Sequence, residues 1–98
     1  MEELKKRLMS YTRKDLKFNE PHFTQQLILR EGNREEVIQN LLKPSRLVYS
    51  YYEKGVHCLY FRISNTRTMK IPVKLGRKTL YIITYIMRYR SWQGMRKR

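Results

Sequence analysis

Residues 33–52 read NREEVIQNLLKPSRLVYSYY, and the change of period inside this stretch decides the fold. Asn33 stands where a helix cap belongs, with Glu36 three residues on, close to a capping box. Val37, Leu41 and Leu42 then recur at helical spacing. Pro44 stops the helix. Beyond it the period falls to two: Leu47, Tyr49 and Tyr51 alternate with Val48, Ser50 and Tyr52, the mark of a strand. The chain is helical before this point and stranded after it.

Upstream, residues 2–16 read as a helix, with Leu4, Leu8, Tyr11 and Leu16 near one face. Asn19-Glu20-Pro21 begins a second helix, since proline suits the first helical position. Phe23, Leu27 and Ile28 or Leu29 form its apolar stripe, and Gly32 is expected to end it as a left-handed C′ glycine. Downstream, Lys54-Gly55 turns the chain into a strand from Val56 to Ile63. Ser64-Asn65-Thr66 turns it again into Met69 to Leu75. Pro72 in mid-strand implies an edge or a bulge. Gly76-Arg77 leads to Leu80–Met87, apolar on both faces and expected to be one central strand. Residues 88–98 are a strand extension or a disordered basic tail. The expected fold class is α+β: N-terminal helices packed on one face of a four-stranded antiparallel meander, the other face open and basic. Residues 1–98 form a single domain, divided into an N-terminal helix (1–16), a core (17–88) and a basic tail (89–98).

Charge divides at the same place. Residues 1–44 carry nine Lys/Arg and seven Asp/Glu, whereas residues 45–98 carry thirteen Lys/Arg and one acid, Glu53. The basic half also holds seven of the eight tyrosines. Cations attract phosphates and aromatic rings stack on bases, so the expected partner is a polyanion, RNA or DNA. A single cysteine, Cys58, excludes an internal disulfide framework and fits a reducing compartment. The charged start and the short apolar window at Leu80–Met87 fit neither a secretion signal nor a membrane span. The expected location is cytoplasmic, away from membranes.

Cys58, His22 and His57 do not have zinc-ligand spacing, and the four glycines make no phosphate loop. No metal or other cofactor is expected. Without acids in the stranded half, any chemistry must use His, Tyr, Arg and Lys. Metal-independent cleavage of RNA suits that set, because the 2′-hydroxyl supplies the nucleophile. Protein groups need only move protons and neutralise the phosphorane. His22, in the first turn of its helix, is a candidate for proton transfer; its structural alternative is a bond to a nearby carbonyl. Arg30 is either a catalytic cation or a plain charge at a helix C-terminus. Tyr81, Tyr85 and Tyr89 fall on one side of the last strand and Arg88 and Arg90 on the other. Lys70, Lys74, Arg77 and Lys78 form a run with no acids to pair and are assigned to nucleic-acid binding, with Tyr89 and Arg90. His57 and Cys58 read as structural.

The order His22, Leu27, Arg30, Glu36-Val37, Leu41, Pro44 resembles the opening of a family of small prokaryotic domains. These begin with a His at a helix start, an Arg at that helix's end and a second helix of similar pattern, followed by a meander. Ile82-Ile83-Thr84-Tyr85 resembles their last strand. The family is grouped with BrnT in the RelE/ParE-like superfamily of toxin–antitoxin systems, and the resemblance covers about residues 17–88. It implies a RelE-like fold and a toxin-like endoribonuclease or translation inhibitor, acting on free or ribosome-bound mRNA. It also implies an acidic antitoxin-like protein as partner. His22 and Arg30 carry over from the opening motif. Tyr85 and Arg88 stand where ribonucleases of the superfamily often place active groups. The alternatives are a non-catalytic nucleic-acid-binding protein of a plasmid or virus, and a member that only binds a protein.

Overall fold

The period change at Pro44 is where the chain passes from its last helix to the longer strands of the sheet. The computed structural model describes residues 1–89. Its elements run α1 (Glu2–Met9), a 3-10 turn (Arg13–Asp15), β1 (Leu16–Phe18), α2 (His22–Leu29) and α3 (Arg34–Leu42). Then come β2 (Leu47–Glu53), β3 (Val56–Arg62), β4 (Thr68–Leu75), β5 (Leu80–Ile82) and β6 (Ile86–Arg88). The class is α+β, but the sheet is mixed rather than a four-stranded antiparallel meander. Its order is β1-β5-β4-β3-β2, with β6 also paired to β4 and β1 parallel to β5.

Two departures have local causes. The first helix does not reach residue 16. It ends at Met9, and Thr12 opens a tight turn in which its N–H donates to the Asp15 carboxylate at 2.8 Å and its carbonyl accepts from Asp15 N–H at 2.9 Å. The Tyr11 hydroxyl donates to the Gly76 carbonyl. Leu16 is thereby released from the helix to pair in register with Leu80.

The expected strand Leu80–Met87 is broken in two. Val73 pairs with Ile82 and Lys70 with Ile86, so three steps along β4 face four along its partner, a one-residue bulge. The cause is Pro72. Ile83 N–H donates to the Pro72 carbonyl at 3.0 Å, so the side of Pro72 that lacks an N–H faces the last strand. The ladder opens there because Pro72 has nothing to donate. An extra residue inverts the facing of everything after it. Tyr81 and Tyr85 therefore lie on opposite faces, not on one side.

The junction of α2 and α3 also differs in detail. Glu31, at φ +54°, takes the left-handed position expected of Gly32. Its N–H meets the Ile28 carbonyl at 3.2 Å, and Gly32 N–H meets that of Leu27 at 2.7 Å, a Schellman closure. Gly32 is needed for space: a Cβ there would lie 2.6 Å from the Tyr85 ring and 2.7 Å from Leu27. Asn33 caps α3 as expected, its side chain accepting from Glu36 N–H at 3.1 Å.

All three helices cover one face of the sheet. Phe23, Leu27, Val37 and Leu41 pack on Leu59, Phe61, Ile71 and Ile82, all buried. Among the described residues no helix is long and apolar enough to cross a membrane.

Candidate nucleic-acid interface

The face turned away from the helices is assembled by register. Residues paired across neighbouring strands share a face, so rows can be followed across the sheet. One row runs Lys17, Tyr81, Lys74. The next is Tyr51, Cys58, Pro72, and the next Tyr49, Tyr60, Lys70, Ile86. The last is Arg62, Thr68, Arg88.

The tyrosines reach this face through a second irregularity. Leu47 pairs with Phe61, but Tyr49 pairs with Tyr60, so the register slips at Val48. Leu47 stays in the core while Tyr49 and Tyr51 turn outward. Simple alternation had put all three on one side. Glu53, at the hairpin end, is the single acid in the stranded half, and the two described ion pairs, Arg13–Glu35 and Arg34–Glu20, both lie in the helical half.

At the centre of the outer face Tyr60 is 1% exposed. Its ring lies 5.3 Å from Tyr49 and 6.1 Å from Tyr51. The Lys70 ammonium stands 5.5 Å from the Tyr60 ring centre and 5.7 Å from that of Tyr51, within cation–π range. Burial pulls the Lys70 pKa down, but the phenols of Tyr60 and Tyr51 outweigh it and raise the pKa overall. The lysine is therefore charged at neutral pH. Tyr51 is pushed up, first by its hydrogen bond with the Cys58 thiol and then by burial, so its phenol is neutral. A fixed cation among neutral rings can meet a phosphate and pack a sugar or base, but has no general base near neutrality.

The four residues assigned to catalysis divide between the two faces. His22 is exposed at the start of α2, its Nε2 2.9 Å from the Thr84 hydroxyl. Arg30 closes α2, its Nε donating to Gln26 Oε1 at 3.3 Å. Tyr85 is 1% exposed, under Gly32 and edge-on to Phe23. Burial raises its pKa, aided by Glu36 and opposed by Arg67 and Arg30. These three belong to the helix-covered side, whereas Arg88 lies in the outer row with Arg62 and Thr68. Of the residues assigned to nucleic-acid binding, Lys70 and Lys74 are on the outer face. Arg77 and Lys78 are exposed in the β4–β5 turn, and Tyr89 is 72% exposed. Arg90 lies outside the described residues.

Lys17, Tyr49, Tyr51, Tyr60 and Arg62 join the surface without having been singled out. The tyrosine-rich hairpin was the available signal for three of them. Lys17 was missed because no strand was expected between the first two helices. Among the described residues no group of three His, Cys, Asp or Glu is placed to hold a metal ion. No protein-family model, no curated protein and no solved structure matches the chain.

Proposed function

We propose that this protein binds RNA along the outer face of its sheet. One observation carries the reading: Lys17, Lys74, Lys70, Arg62 and Arg88 occupy three of the four rows of that face around a tyrosine cluster. Cations outside the described ion pairs supply the phosphate attraction, and the rings supply apolar contact. If about five phosphates are neutralised, log affinity for a single strand falls with log salt at a slope of roughly −3.5. A salt titration with a labelled RNA measures it. A slope near zero removes the polyanion reading and leaves protein binding.

A second reading is metal-independent cleavage of RNA on the helix-covered side, apart from the outer-face path. Its specific support is His22, an exposed imidazole held at 2.9 Å from a hydroxyl, where proton transfer costs no unfolding. Incubation of labelled RNA with the protein, alone and with ribosomes, followed by mapping of cut ends, tests it. Uncut RNA in both arms leaves binding as the whole function. We extend the proposal to a RelE-like, toxin-type role in the cytoplasm, restrained by an acidic partner. The support is the helix-before-sheet order and the resemblance in residues 17–88. Its test is growth arrest on expression, relieved by a co-expressed acidic protein.

A further inference from the structure

The outer face does not account for the most exposed aromatic ring of the hairpin. Tyr52 is 64% exposed and pairs across β2–β3 with His57, ring centres 4.7 Å apart at 57°. His57 pairs in turn with Val73, a core residue, so this ring pair lies on the helix-covered side of the sheet. The charge of Arg7 of α1 acts on His57, and its guanidinium donates to the Gly76 carbonyl at 3.1 Å. That bond brings α1 against the β4–β5 turn with Arg77 and Lys78. The hairpin turn with Lys54 lies at the same end of the sheet, because β3 and β4 are antiparallel. The tip also carries Glu53, paired with Val56.

Ordinary cross-strand packing accounts poorly for this pair. A tyrosine that packs for stability hides its ring, as Tyr60 does, whereas Tyr52 presents most of its ring to solvent. The His57 Nδ1 is buried and finds no hydrogen-bond partner among the described residues, so no hydrogen bond at that atom fixes the ring. Burial, and then Arg7, hold the His57 pKa below its ordinary value, so the imidazole is uncharged near neutrality beside a group of cations. Packed rings on a hairpin, with cations at their border, are the elements of a base-stacking platform.

We infer that Tyr52 on His57 is a stacking platform for an unpaired base, so that the RNA bound by this protein is single-stranded rather than duplex. The inference rests on the outer-face reading and extends the RNA path around the hairpin tip. A duplex keeps its bases stacked inside and has no free π-face to offer.

The test compares three probes of equal length on the full chain: an unstructured oligoribonucleotide, the same strand without bases, and a duplex. The wild type should prefer the first. Tyr52→Ala should lose about 5- to 150-fold affinity for it, the range for one stacked base. It should lose nothing on the abasic strand or the duplex and keep the same salt slope. Tyr52→Phe should bind as the wild type, and equal melting temperatures would show that the variants are folded. Equal affinity of Tyr52→Ala and wild type for the single strand overturns the platform, as does a wild-type preference for duplex. Wild-type binding to none of the three probes overturns the outer-face reading as well, which separates the two failures.

Discussion

The two faces of this sheet are built from the same strands and differ in what covers them. On the covered face Leu59, Phe61, Ile71 and Ile82 are sealed under α2 and α3. Alternate residues of the same strands, Tyr60, Lys70, Lys74 and Tyr81, look outward with no helix over them. A substitution on the first face should therefore cost stability. One at an exposed cation of the second, such as Lys74, should cost affinity and leave the fold alone. Irregularities set this division as much as alternation does, because the slip at Val48 and the bulge opposite Pro72 choose which tyrosines fall on which side.

The largest expected effect is on the covered face. Phe23 is fully buried between Phe18 and Tyr85. Phe23→Ala should destabilise by about 3–5 kcal/mol, a large part of the total for a domain this size. Denaturant unfolding measures it, and a loss under about 1 kcal/mol would mean that this face is not the core.

Gly32→Ala comes next. Its new Cβ would meet the Tyr85 ring at 2.6 Å, and overpacking of that kind costs about 1–3 kcal/mol. Combined with Tyr85→Leu, which removes the ring edge, the glycine change should become milder. If the two losses simply add, the clash is not the cause.

Lys74→Glu tests the other face. It should weaken RNA binding for every sequence alike and reduce the salt slope by about 1. Its effect on stability should stay within about 0.5 kcal/mol. Loss of fold with intact affinity would reverse the assignment of the two faces.

The smallest effect belongs to the surface of the helical half. Arg13 donates to both Glu35 oxygens, at 3.0 and 2.6 Å, and that bonding, with Gln39, holds the Glu35 pKa down to about 2 from 4.5. A depressed carboxylate contributes stability that is present above pH 4.5 and fades as pH falls towards 2. Arg13→Ala should therefore melt slightly lower than wild type at neutral pH, by little because the pair is exposed. The gap should close as the buffer is taken from pH 4.5 towards 2. A gap that widens on acidification would rule out the ion pair as its source.

Much of the covered face was legible in the sequence. Val37 and Leu41 at helical spacing, the Asn33 cap, Pro44 as a stop and Lys54-Gly55 as a turn all depend on residues close in the chain, so local pattern suffices. Pro72 signalled a bulge, though the bulge formed in its partner strand. The candidate interface was legible as composition, many cations and tyrosines with one acid, but not as a surface. Tyr85 shows the limit. By alternation it belongs beside Tyr81, yet it is buried under Gly32.

The sequence by itself determined the class, the switch from helix to strand and the polarity of the basic half. These follow from periodicity, caps, breakers and charge, which act over a few residues. Tertiary structure alone decided that Leu16–Phe18 would join the sheet parallel to Leu80–Ile82. It also decided that the last strand would split, and that Arg88 would stand with Arg62 while His22, Arg30 and Tyr85 went to the other side. Each of those outcomes depends on hydrogen-bond register between segments distant in the chain. A slip of one residue there reverses every facing beyond it.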